Sequence, residues 1–223
     1  MTTISNLAVP ESPFGQPGAA TGRATPTVAA VASTAVGTAL VYVTFNARRL
    51  RDLSTDHGDF EIGYEVVRVT DFRTGPEYPA ALARRLGECL AWAEVLAGHY
   101  LPDTFAPLAR AAATSAQREC FDRLIQAWET RGDGSTGAPG AHLIDTAIDL
   151  GVLEQDLRRR CATANLHSKY LDPQCPSVRL PITSAAAVAL LAGREMRWCT
   201  WDHLDLDRLV TKTFSDTLAG DSS

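Results

Sequence analysis

The sequence predicts a mainly α protein: a helical bundle of about five to six helices with a small N-terminal β-hairpin and a flexible N-terminal arm. Three observations predict it. Residues 1–27 hold Pro10, Pro13, Pro17 and Pro26 together with Gly15, Gly18 and Gly22, so no regular element is expected to persist there. Two strand-like runs follow, at 39–46 and 60–72. Beyond Gly75-Pro76 the apolar residues recur with helical spacing almost to Ala219. The expected division is an arm over 1–27, a β element over 28–74 and a bundle over 75–220, with 28–220 forming one domain.

The first run carries Leu40, Val41, Tyr42, Val43 and Phe45, the β-branched and aromatic residues that strands favour. In the second, Phe60, Ile62, Tyr64 and Val66 alternate with Glu61, Gly63 and Glu65. A polar link through Thr55, Asp56, His57 and Gly58 suits a hairpin connection. Two strands alone are marginal, so the pair is expected to pack on helices.

Pro79 opens the first expected helix, whose Leu82, Leu86, Cys89, Leu90, Ala93 and Leu96 share a face, and Gly98 ends it. Asp103 caps a short helix through Leu108. Thr114 and Gln117 have capping-box spacing ahead of a helix with Phe121, Leu124, Ile125 and Trp128 on one stripe. Four glycines and Pro139 make 132–140 a loop. Leu143, Ala147, Leu150, Leu153, Leu157 and Cys161 then describe a long helix. Pro173, Pro176 and Pro181 are expected to keep 172–182 extended. An Ala-rich helix, buried nearly all round, begins at Thr183 or Ser184. Thr200 caps the last helix, with Asp202, Asp205 and Asp207 at the positive end of its dipole.

A chain of 223 residues, 45% of them hydrophobic, can bury a real core. The formal charge of -5 excludes a protein that coats nucleic acid through bulk positive charge and leaves room only for local basic grooves. Five cysteines, an odd number at irregular spacings, point to a reducing intracellular compartment. The uncharged run 24–47 is long enough to cross a bilayer, and Arg48, Arg49 and Arg51 follow it as a cytoplasmic flank would. Its small and polar residues weaken insertion, so a tail entering a buried strand is expected instead of a membrane segment.

No G-x-S-x-G elbow or P-loop is present, and no catalytic residue is assigned. The soft-ligand set Cys161, His167, Cys175, Cys199 and His203 is the metal candidate, with Cys199 and His203 one helical turn apart. It lacks the close C-x2-C pairs of structural zinc sites, so core and surface roles are the simpler assignment and no cofactor is expected. His57 between Asp56 and Asp59 is the best isolated acid–base constellation, yet the same residues serve a turn. Two arginine groups, Arg48, Arg49 and Arg51, and Arg158, Arg159 and Arg160, can grip phosphates bidentately. Glu154 and Asp156 beside the second group offer salt bridges as the plainer reading. Trp92, Trp198 and Trp201 either complete the core or mark a partner surface.

The layout of arm, small β element, bundle and polar tail resembles that of the helical coat proteins of rod-shaped and filamentous viruses, which can be acidic overall and bind RNA through a few arginines. That resemblance of architecture implies a non-enzymatic, self-associating structural protein, coat-like and located in a virion or the cytoplasm, with the six arginines on nucleic acid. The alternatives are a small intracellular enzyme using His57 or His167 with nearby carboxylates, and a zinc-stabilised regulatory domain.

Overall fold

The computed structural model describes residues 3–5, 27–34, 37–45, 60–68, 95–112, 114–130, 142–145, 157–172, 174–175 and 177–214. Its centre is a meander of three antiparallel strands, β2 (Thr27–Ser33), β3 (Gly37–Phe45) and β4 (Phe60–Arg68). The β2–β3 turn closes through the Thr34 N–H on the Gly37 carbonyl at 2.8 Å, with the Ser33 and Thr38 hydroxyls 2.8 Å apart across it. Val31 pairs with Leu40, and Val41 with Tyr64.

The meander is extended at both sides. A three-residue strand, β1 (Thr3–Ser5), runs antiparallel to β4 on one edge. On the other, β5 (Val95–Gly98) lies parallel to β2, and β6 (His142–Asp145) lies parallel to β5. The result is a six-stranded mixed sheet in the order β1-β4-β3-β2-β5-β6. Val28, Ala29, Ala30 and Val31 are all 0% exposed, so β2 is buried on both faces. At the end of β5 the Leu101 side chain lies directly over Gly98, in space a Cβ would occupy.

Between β5 and β6 run two helices, α1 (Leu101–Ala111) and α2 (Ser115–Thr130), which pack on each other. Buried Phe105 and Phe121 meet with ring centroids 6.1 Å apart. The expected capping contact is present, since the Gln117 N–H donates to the Thr114 hydroxyl at 3.3 Å.

After β6 come α3 (Leu157–Thr163), strand β7 (Leu166–His167), a 3-10 turn (Lys169–Leu171), α4 (Arg179–Glu195), strand β8 (Leu204–Asp205) and α5 (Leu206–Phe214). The Ala-rich α4 lies across β2, β3, β4 and β5, and every residue from Leu180 to Gly193 is buried. Ala185, Ala186, Ala187, Ala189 and Ala192 have side chains small enough to bring its backbone close to the sheet, and such a helix belongs in a core. It ends in a Schellman motif. The Trp198 N–H reaches the Gly193 carbonyl at 2.9 Å and the Arg197 N–H reaches Arg194 at 3.0 Å, with Arg197 left-handed at φ 59.

The helical bundle expected from the sequence is thus corrected to a mixed α/β fold. The two expected strands exist, but they are the middle and one flank of a larger sheet. Residues 95–98, expected to end a helix, form an inner parallel strand, and 142–145, expected to open a long helix, form an edge strand. Both are short apolar runs, for which periodicity does not separate helix from strand. Of the expected arm, Thr3–Ser5 joins the sheet instead of hanging free. The run considered as a membrane segment supplies β2 and β3, and no helix among the described residues is long and apolar enough to cross a membrane. Pro181 sits inside the first turn of α4, where its missing N–H costs no helical bond. The helix expected over 79–94 and the loop over 132–140 lie outside the described residues.

Candidate functional site

The second, two-stranded sheet builds a cleft at the surface of the described residues. Strands β7 and β8 pair in parallel, Leu166 with Leu204 and His167 with Asp205. Leu166 and Leu204 are buried, so strand alternation turns His167 and Asp205 outward. The ladder is positioned by Asn165, left-handed at φ 56, whose carbonyl accepts the Leu204 N–H at 2.9 Å. His203, the residue before β8, stacks on His167 with ring centroids 4.7 Å apart and planes 30° from parallel. Both rings are exposed.

A single carboxylate ties the two halves of this feature together. Asp207, in the first turn of α5, accepts the Ser168 hydroxyl on one oxygen and the Lys169 N–H on the other, the latter at 2.8 Å. The Ser168 oxygen in turn accepts the Tyr170 N–H at 3.0 Å and caps the 3-10 turn. Asp205 caps α5 by accepting the Arg208 N–H at 3.0 Å.

Together these elements enclose a cleft of about 450 Å³, lined among others by Arg158, His167, Lys169, His203 and Asp207. Arg158 stands 3.6 Å from Asp172, but both side chains are about half exposed, so the pair is weak. Arg159 and Arg160, also exposed, continue from Arg158 along α3. Successive helical residues turn by about 100°, so the three guanidinium groups fan out and only Arg158 lines the cleft. Beside it, two cations lie over the Tyr170 ring: Lys169 Nζ is 4.9 Å and Arg179 Cζ 5.1 Å from its centre. Arg179 also donates to the Tyr170 hydroxyl and to Thr211, each at 3.2 Å.

The soft-ligand set divides between core and surface. His167 and His203 come together on the cleft, whereas Cys161 and Cys199 are buried and burial pushes each thiol up to about 12. Cys199 Sγ points at the Leu190 carbonyl, 4.0 Å away, and Cys175 is half-buried. Among the described residues no three His, Cys, Asp or Glu side chains group as a metal ion would require. Arg48, Arg49, Arg51 and the His57 turn lie outside the described residues. Trp201 is buried in the core and Trp198 packs against it.

Sequence reasoning found His167, His203 and Arg158 but missed Lys169, Ser168 and Asp207. The Asp207 contacts span 38 and 39 residues, and no local spacing announces them. No protein-family model matches the chain, and no curated protein or solved structure matches it significantly.

Proposed function

We propose that the cleft beside the β7–β8 ladder, with the adjoining arginines of α3, grips the phosphate backbone of a nucleic acid. The observation that carries this reading is the convergence of the cations Arg158 and Lys169 on one cleft whose two carboxylates, Asp207 and Asp205, are engaged by Ser168, the Lys169 N–H and the Arg208 N–H, with exposed Arg159 and Arg160 next along α3. Guanidinium and ammonium groups are the usual phosphate ligands, and a local cluster acts even on a chain whose formal charge is -5. Binding is favoured over acid–base chemistry because Asp207 commits both oxygens to Ser168 and Lys169 and so is spent on structure.

Fluorescence anisotropy with a labelled oligonucleotide tests the reading. If about three phosphates are neutralised, affinity for a single strand falls roughly 20-fold between 50 and 200 mM salt. An Arg158→Ala, Arg159→Ala, Arg160→Ala variant should bind more weakly and with a shallower salt slope. Absence of binding at low salt, or binding indifferent to these substitutions, would refute the proposal.

A further inference from the structure

Phosphate capture explains the cations of the cleft but not the geometry of its imidazoles. His167 and His203 are exposed, yet they lie face to face at 4.7 Å instead of spreading into solvent. Their backbones are held on both sides. His167 is fixed by the β7–β8 ladder and by the Asp207 grip on the next two residues, and His203 by the bond from Leu204 to Asn165. The stack is therefore a preformed aromatic platform with solvent on it, next to Arg158 and Lys169.

Resting on the proposed nucleic-acid reading, we infer that this platform takes an unpaired base, making the cleft specific for single-stranded nucleic acid. A base has two π faces and in a duplex both are occupied by its neighbours. Only an unpaired nucleotide can lay one on a protein ring, and proteins that prefer single strands use aromatic or histidine side chains in this way. The cleft volume of about 450 Å³ suits one nucleotide rather than a duplex. The base extends the His167–His203 stack by a third plane, while its flanking phosphates meet Arg158 and Lys169. The platform reads a π face and not a hydrogen-bonding edge, so little sequence preference is expected.

The test compares three probes by anisotropy competition at one salt concentration: a short single-stranded deoxyoligonucleotide of mixed sequence, the same sequence as a duplex, and inorganic polyphosphate, which has charge but no bases. The single strand should bind tightest. His167→Ala and His203→Ala should each weaken it about fivefold or more, because base stacking is worth at least that much, and leave polyphosphate binding within about twofold. His167→Tyr, which keeps a ring, should retain the single-strand preference, and polyphosphate binding by each variant certifies that the cleft is still folded. Equal binding of all three probes, with no effect of the alanine variants, would overturn the inference and leave phosphate capture standing. Single-strand preference that survives both alanine substitutions would overturn it as well, by placing the base elsewhere. Failure of all three probes to bind at low salt would remove the phosphate reading and this one together.

Discussion

Trp201 donates its indole N–H to the carbonyl oxygen of Ala164 at 2.6 Å. Both residues are buried, and the bond joins the end of α3 to the segment that leads into β8. The Arg194 guanidinium covers the Trp201 ring at 5.0 Å and donates to the same carbonyl at 3.4 Å. The bond braces the segments that precede β7 and β8, beside which His167 and His203 stack.

Trp201→Phe removes the donor, shrinks the side chain and leaves Ala164 with the longer Arg194 bond alone. A stability loss of about 2–4 kcal/mol is expected, from the lost hydrogen bond and the space left behind. Urea denaturation of the variant measures it.

Asp207→Ala deletes an acceptor shared by a hydroxyl and a backbone N–H. The expected cost is about 2 kcal/mol, the range for hydrogen bonds to a charged group. Hydrogen exchange at the Lys169 and Tyr170 amides should accelerate more than exchange within α4, because the loss is local to the cleft.

Arg197 occupies the left-handed position of a Schellman motif that glycine fills without a Cβ penalty. Arg197→Gly relieves about 1–2 kcal/mol of backbone strain and loses about half of that to the freer unfolded chain. Calorimetry should find a melting point about 2 °C higher.

Burial raises the Cys161 and Cys199 thiols from 9.0 to about 12. Between those values the unfolded chain has released protons that the folded chain retains, so it binds fewer, and stability falls as pH rises. The loss is nearly absent below about pH 8 and amounts to about 1.4 kcal/mol per thiol near pH 10. Urea midpoints at the two pH values measure the decline, and a Cys161→Ala, Cys199→Ala variant should show less of it.

The strands at 37–45 and 60–68 were legible in the sequence because β-branched and alternating residues mark them, and the buried Ala-rich helix because it lacks a polar face. Strands β5 and β6 were not. Val95–Gly98 and His142–Asp145 are four residues each, and the pairing of β5 with β2 and with β6 depends on contacts across 67 and 47 residues of chain. The site divides in the same way. Histidines and arginines announce themselves by type, but the stacking of His167 on His203 and the grip of Asp207 on Ser168 exist only once β7 and β8 have paired.

Hydrogen–deuterium exchange with and without a single-stranded oligonucleotide at low salt tests the central claim most directly. The account predicts slower exchange over 157–171 and 203–208, the segments that frame the cleft, and no change in Ser115–Thr130. Protection confined to other segments, or none while the oligonucleotide is bound, would contradict it.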